Sequence, residues 1–235
     1  MIQRLRLLLF ILFATTLSVF AQRERVKNTP YIDQRRIHFG FLLGVHSQDL
    51  AFKHSGFTTD NGETWYAEIP EFSPGFTVGL LADYAFTERF NLRFSPNMCF
   101  GNKNVYFKET QSKEWISQDI KSNYLNLPLM LKYSAKRVNN YRPYLVTGFT
   151  PSFDISKRKD TPIVLTRFDL IYEVGVGCDI YLPFFKLIPE LRFGFGLLDV
   201  LQHKRKDLKD PTQLKYTQSI KEINTRIVSL VFYFE

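Results

Sequence analysis

Apolar and polar residues alternate along two consecutive runs in the second half of the chain, Phe168–Leu182 and Lys186–Leu197. In each run the residues of one parity are mainly apolar or aromatic, and those of the other parity are mostly charged residues and glycines. Because successive side chains of a β-strand point to opposite faces, each run has one apolar face and one polar face. Only Pro183, Phe184 and Phe185 separate the two runs, so the pattern predicts a tight β-hairpin.

The composition of the two faces indicates the kind of sheet. The apolar face is broad and rich in aromatic residues, whereas the polar face mixes bulky charges with glycines, as a narrow and crowded interior requires. A soluble sandwich would instead bury its apolar face and show charge to water. This alternation is typical of the wall of a transmembrane β-barrel.

The same alternation recurs along the chain and predicts eight strands, at Arg36–His46, Pro74–Phe86, Phe90–Gly101, Ser122–Tyr133, Arg142–Phe153, Phe168–Leu182, Lys186–Leu197 and Thr225–Phe234. We therefore predict an all-β fold, an eight-stranded antiparallel up-and-down transmembrane β-barrel over residues 36–235. The parity of the fifth strand stays open, because Tyr144 and Leu145 both suit an outward face. Three prolines inside the predicted strands indicate bulges or strand ends: Pro96, Pro128 and Pro189.

The connections between these strands alternate in length. Segments 86–90, 134–141 and 182–186 are short, whereas 47–73, 102–121, 154–167 and 198–224 are long and polar. Bacterial outer-membrane barrels place short turns in the periplasm and long loops outside, so the first strand should start from the periplasm. The interior of a barrel this small is filled by side chains, which leaves no wide channel.

The N-terminus predicts export. Arg4 and Arg6 precede an apolar stretch at residues 7–17 and a small residue, Ala21, as in a signal peptide that is cleaved after residue 21. The stretch is shorter than the ~20 apolar residues of a membrane-spanning helix. We expect residues 1–21 to be a signal peptide and residues 22–35 to be a polar, mobile periplasmic tail.

Composition narrows the partners. Aromatic residues make up 16% of the chain, as expected for the aromatic girdles of a barrel. The formal charge of +8 suits contact with lipopolysaccharide of the outer membrane or with an acidic protein partner, since an exported chain rarely meets nucleic acid. Cys99 and Cys178 have opposite parity on strands that should not be neighbours, so we expect no disulfide.

Six charged residues have the inward parity of their predicted strands: Arg93, Lys132, Glu173, Asp179, Glu190 and Arg192. They could form a catalytic cluster or an ion path. A network of salt bridges that plugs the lumen is the favoured interpretation, because an unpaired charge in a dry interior costs several kcal/mol. We predict that Arg93 and Arg192 each contact at least one of the three acids, with Lys132 and Tyr181 as further donors.

Other motifs carry little chemistry. Gly175 and Gly177 form a G-x-G pattern, but a nucleotide loop needs a third glycine and a following helix, so lumen packing explains them better. The histidines show no metal-ligand spacing, and no serine and acid lie at a usable spacing from the loop histidines: His38 and His46 are predicted to face inward, and His54 and His203 to lie in loops. We expect no cofactor, no metal and no catalytic residue.

Two basic runs lie in long loops that should face the cell exterior: Lys157, Arg158 and Lys159, and Lys204, Arg205 and Lys206. The simplest interpretation is solvated loop charge. The functional alternative is docking to lipopolysaccharide phosphates or to an acidic partner.

The segment Tyr124–Tyr133, YLNLPLMLKY, resembles the Y-L-x-[IL]-P-L-x-L-K-Y strand of outer-membrane barrels of Bacteroidetes. Further segments together resemble the PorT family: Arg36–Phe52, Ser73–Tyr84, Asn91–Pro96, Asn139–Gly148, Arg167–Leu201 and the closing KYTQSI and VSLVFYFE. The resemblance covers nearly all of the chain after the signal peptide, and the block Arg167–Leu201 is its most specific part.

This resemblance implies a component of the type IX secretion system, which moves folded cargo such as proteases and gliding-motility adhesins across the outer membrane. It also implies other secretion components as partners. The PorT family has no established catalytic residues to carry over. Two alternatives from other classes stay open, a lipid A-modifying enzyme of the outer membrane and a small-solute porin.

Overall fold

The structure is a computed structural model, and it describes residues 26–57, 64–68, 74–109, 115–156, 164–203 and 217–235. After a short 3-10 helix at Ile32–Gln34, it contains eleven strands: β1 (Ile37–His54), β2 (Trp65–Glu68), β3 (Pro74–Ala85), β4 (Phe90–Phe94), β5 (Asn97–Glu109), β6 (Trp115–Asn126), β7 (Leu129–Ser134), β8 (Tyr141–Asp154), β9 (Phe168–Tyr181), β10 (Lys186–Gly196) and β11 (Ile220–Phe234). The predicted signal peptide, residues 1–21, lies outside the described residues.

The strands close into the predicted antiparallel ring of eight. Two of the eight positions are each filled by two strands, because Pro96 separates β4 from β5 and Pro128 separates β6 from β7. β4 pairs with β7 and β5 pairs with β6, so both halves keep the same neighbours. The Ser95 amide donates to the Pro128 carbonyl at 3.2 Å, which continues the wall across the interruption. β1 pairs with β3 on one side and with β11 on the other, and this pairing closes the barrel.

The inward and outward faces follow the predicted parity. Phe39, Leu80 and Leu145 point out of the ring and are 71%, 64% and 58% exposed, which in a membrane means contact with lipid. Burial also settles which face of the fifth predicted strand, β8, points inward: Tyr144 and Val146 are buried in the lumen. Among the described residues, no helix is both long and apolar enough to cross a membrane.

The strands extend further than predicted at the end of the barrel that carries the long loops. The predicted loop at 102–121 is wrong, because β5 and β6 form one long hairpin through most of it. The predicted loop at 47–73 is partly wrong, because β1 continues to His54 and the missed strand β2 pairs with the end of β5. Beyond the apolar belt both faces of a strand can meet water, so the alternation that marks a membrane strand is lost there.

An apolar core fills the barrel at this long-loop end. Its apolar side chains come from strands and loops above the polar lumen and are buried together: Leu50, Trp65, Ala67, Val105, Phe107, Leu165, Val200, Leu201, Ile220 and Ile223. The loop after β10 is held here by Asp199, whose carboxylate accepts the amides of Leu201 and Ile223 at 3.0 Å each.

The opposite end of the barrel carries the short turns 86–89, 135–140 and 182–185, as predicted. The prediction that the N-terminal tail is mobile is wrong for residues 26–35. Asn28 donates its side-chain amide to the Tyr181 carbonyl at 2.9 Å, and the Tyr181 hydroxyl donates to Asp33 at 2.6 Å. The Arg137 guanidinium stacks on the Tyr181 ring at 3.6 Å and donates to the Asn28 carbonyl, so the tail is clipped to the barrel.

Candidate functional site

The centre of the lumen is occupied by Arg93 on β4, whose side chain has no exposed surface. Its guanidinium donates to Asp83 at 3.0 and 3.1 Å and to Glu190 at 2.7 Å. Asp83 is the direct neighbour of Arg93 in the β3–β4 register, whereas Glu190 reaches it from β10 across the ring. Two carboxylates thus share one buried cation.

Two aromatic side chains complete the surroundings of this ion pair. Tyr144 donates its hydroxyl to Glu190 at 2.5 Å, and Tyr233 donates to the other oxygen of Glu190 at 3.3 Å. The Arg93 guanidinium lies over both rings, 5.2 Å from the centroid of Tyr144 and 4.7 Å from that of Tyr233. Such contacts stabilise a cation that has lost its water.

The Tyr144 side chain lies directly over Gly177 of the neighbouring strand β9, where any larger residue would collide with it. A Cβ at this glycine would overlap the Tyr144 ring and come within 2.9 Å of the Pro189 carbonyl oxygen. The glycine of the G-x-G motif therefore serves lumen packing in the structure.

Two further ion pairs extend the network along the barrel axis. Arg192 donates to Glu173 at 3.1 Å and also to Glu190. Lys132 donates to both oxygens of Asp179 at 2.8 Å. The Lys132 ammonium also lies 4.1 Å from the centroid of the Tyr144 ring, which links this pair to the central group.

All six predicted lumen residues are therefore buried and ion-paired, and both arginines make the predicted contacts. Tyr181 was expected to donate to this network, but its hydroxyl is bound to Asp33 of the tail. Sequence reasoning missed Asp83 and Tyr144 as members of the network. Asp83 had the inward parity that could have identified it, whereas the parity of Tyr144 was ambiguous.

Another group of charged side chains lies where the first and last strands, β1 and β11, meet. Glu235 contacts the Lys186 ammonium at 2.6 Å and the His38 ring at 2.6 Å, and all three side chains are buried. His38 on β1 and Lys186 on β10 lie on either side of β11, so the group joins the strands that close the barrel.

Above the ion pairs the lumen holds a layer of smaller polar side chains. Asn126 donates to Asn97 at 3.3 Å and to the Cys99 thiol at 3.2 Å, and His46 is bound to Thr77 at 2.8 Å. The cavity at this level measures about 20 Å³, close to the space of one water molecule. The lumen is a packed interior at this level.

The four histidines occupy separate places. His38 and His46 face the lumen as predicted, and His203 lies in a loop, where its ring contacts Asp199 at 2.7 Å. His54 was predicted in a loop, but it is the last residue of β1. In the part of the chain that the structure describes, no three His, Cys, Asp or Glu side chains are placed to hold a metal ion.

The pKa of Asp199, in the loop after β10, is shifted. Burial raises the pKa, but hydrogen bonds from the Ile223 and Leu201 amides and from His203 lower it more, so the pKa lies below its ordinary value. The ionised form is the one that holds the loop after β10 against β11.

The six basic residues predicted to dock lipopolysaccharide or a partner fall outside the described residues: Lys157, Arg158, Lys159, Lys204, Arg205 and Lys206. Their docking role stays a prediction. The two cysteines lie on opposite faces, with Cys99 buried in the lumen and Cys178 on the outward face.

A family model described as an outer membrane protein beta-barrel domain matches residues 20–202. Among solved structures, Neisserial surface protein A is 11% identical with a TM-score of 0.42 and aligns over 85% of this chain and 98% of its own. OprG of Pseudomonas aeruginosa is 12% identical with a TM-score of 0.40, over 85% and 94%. The beta domain of the Bordetella autotransporter Brka is 10% identical with a TM-score of 0.35, over 83% and 98%. No curated protein matches the sequence significantly.

Proposed function

We propose that this chain, which belongs to the outer membrane protein β-barrel domain family and forms a barrel in the outer membrane, is a non-enzymatic accessory protein of type IX secretion. The PorT-like segments, above all Arg167–Leu201, support the assignment to this system. The role within it is to assemble, stabilise or dock the translocation machinery.

The packed lumen is the observation that carries this role. Arg93 and its partners fill the cross-section of the barrel, and the polar layer above them leaves a cavity of only about 20 Å³. Folded cargo cannot pass through such an interior. A secretion component of this shape acts through its surfaces and loops, next to the pore that carries the cargo.

The same packing argues against a small-solute porin, and the histidines give little support to a lipid A-modifying enzyme. An enzyme of that class would place a serine–histidine pair on the wall that faces lipid. His38 and His46, the two histidines within the predicted membrane strands, point into the lumen.

Deletion of the gene tests the proposal. Type IX cargo should accumulate in the periplasm of the deletion strain, and the wild-type gene should restore its release. Normal cargo release in the deletion strain would refute the function. An altered lipid A mass spectrum in that strain, or stepwise conductance of the purified barrel in planar bilayers, would favour the enzyme or the porin instead.

A further inference from the structure

A basic pocket opens at the short-turn end of the barrel. It has a volume of about 490 Å³ and lies between the N-terminal tail, the turn from β3 to β4 and the turn from β7 to β8. We call it the basic mouth, after the six cations in its lining: Arg35, Arg36, Arg89, Lys136, Arg137 and Arg142. Its two acidic lining residues are Asp33 and Glu88. The volume lies within the ~300–1,000 Å³ of ordinary ligand-binding clefts.

The basic mouth continues the lumen and does not belong to the lipid-facing wall. Arg142 precedes the inward Tyr144 by two residues on β8, and it is half-buried. Arg36 comes just before β1, two residues before the inward His38, and its carbonyl accepts the Ala85 amide at 2.8 Å, which continues the pairing of β1 with β3. Residues two apart on a strand share a face, so these cations gather around the barrel axis. A ligand therefore reaches them from the aqueous space below the barrel and not from the ring of lipid headgroups around it.

Most of this positive charge is unmatched. Arg137 and Arg142 share Asp33, at 3.5 Å each, and their other hydrogen bonds go to backbone carbonyls of the tail and turns and to the Asn140 side chain. Among the described residues, no ion pair involves the other four cations, Arg35, Arg36, Arg89 or Lys136. The acids of the lumen cannot serve them, because those acids are already paired inside the barrel.

We propose that the basic mouth binds an acidic peptide segment of a periplasmic protein. The four free cations come from three separate parts of the chain around one concave surface, which suits an extended ligand with several carboxylates better than a single phosphate. This inference specifies the chemistry of the partner that the barrel would dock. It rests on the proposed function only in taking that partner to be a component of the secretion system. It adds a docking surface at the periplasmic end to the one predicted in the outer loops.

A binding experiment with the full-length purified barrel in uncharged detergent tests this. The probe is a fluorescently labelled octaglutamate peptide, followed by anisotropy. The double variant Arg36→Gln/Lys136→Gln removes two exposed cations of the basic mouth whose side chains form no ion pair within the described residues. The matched control, Arg167→Gln/Lys221→Gln, removes two exposed cations at the long-loop end.

We expect the unmodified barrel and the control to bind octaglutamate alike, and the mouth variant to bind it about tenfold more weakly. Binding should also weaken as salt is added, since exposed charges are screened. No binding to the unmodified barrel, or equal binding by both variants, would overturn the inference. The inference would also be overturned if inorganic phosphate displaced the labelled peptide as effectively, per unit of charge, as unlabelled octaglutamate does. The same holds if vesicles with anionic lipid, and not the peptide, bound the unmodified barrel better than the mouth variant.

The outcome is separable from the proposed function. Loss of secretion in the deletion strain together with mouth-independent peptide binding would refute the inference alone. Normal secretion in the deletion strain together with mouth-dependent peptide binding would refute the secretion role and leave the acidic-peptide site in place.

Discussion

Tyr144 on β8 donates a 2.5 Å hydrogen bond to Glu190 on β10, although the strand β9 lies between them. The bond spans the intervening strand because β9 presents Gly177 at that level. The same carboxylate binds Arg93 from the far side of the ring. Glu190 thus joins the two sides of the lumen, and the following variants test its surroundings.

Gly177→Ala should destabilise the barrel, because its new methyl group overlaps the Tyr144 ring and disturbs the bond to Glu190. Overpacking of this kind costs ~1–3 kcal/mol of the free energy of unfolding. Gly101→Ala is the matched control, since a Cβ there meets its nearest atom, the Gly75 Cα, at 3.6 Å. Urea unfolding of the purified barrel in lipid vesicles measures both. Equal stability of the two variants would contradict the packing role of Gly177.

Arg93→Met should be far more damaging, because it leaves Asp83 buried without its cation and Glu190 with Arg192 alone. Removing one partner of a buried ion pair costs ~3–5 kcal/mol. Lys53→Met removes an exposed cation that contacts Glu222, where little or no loss of stability is expected. The stability of the two variants can be compared by the temperature at which each folded barrel changes its mobility on a gel. Adding Asp83→Asn to Arg93→Met should restore part of the loss, and a double variant that is no more stable would argue against this account.

Leu191→Arg should test the lipid-facing wall. Leu191 lies opposite Val176 of β9 and Leu230 of β11, among outward side chains, so an arginine there enters lipid. The expected cost is ~2–4 kcal/mol near the bilayer midplane. Val174→Arg on the same wall should behave alike, whereas Val26→Arg in the exposed tail should have no effect. Unchanged gel mobility on heating for Leu191→Arg and Val174→Arg would reverse the assignment of the two faces.

Acid should release the loop after β10. The pKa of Asp199 is lowered in the folded barrel, so its stabilising contribution is present above pH ~4 and is lost as the pH falls through the lowered value. NMR of the barrel in micelles can follow the Leu201 and Ile223 amides that donate to this carboxylate. Their resonances should move together below pH ~4, and Asp199→Asn should abolish that transition. A transition that persists in Asp199→Asn would assign it to another group.

Arg137→Ala should detach the tail from the barrel. Its guanidinium stacks on Tyr181 and donates to the Asn28 carbonyl and to the Asn140 side chain, so its loss removes the main link between tail and turn. Limited trypsin digestion should then cleave after Lys27 and Arg35 faster than in the unmodified barrel. Lys136→Ala, next to it and exposed, is the control and should cleave at the original rate. Equal rates in both variants would mean that other contacts hold the tail.

The strand parity and the buried charges could be predicted because each depends on a local rule, the alternation of faces and the need to pair a buried charge. Tyr144 could not be placed in advance, since a tyrosine suits both an aromatic girdle and a polar lumen. The extensions of β1, β5 and β6 were missed because strands above the apolar belt lose their alternation. The clipped tail was missed because its contacts join residues far apart in the chain, such as Asn28 and Asn140.

The Arg93–Glu190 pair also constrains how the barrel can form. Its members are 97 residues apart, on opposite sides of the ring, so the contact exists only once nearly the whole sheet has curled up. In a half-rolled sheet, Arg93 would keep only Asp83 of its neighbouring strand and Glu190 would keep only Arg192, so the contact between Arg93 and Glu190 would be missing. The charges of the lumen are therefore fully paired only in the closed ring, and this pairing favours the closed ring over an open sheet in the bilayer.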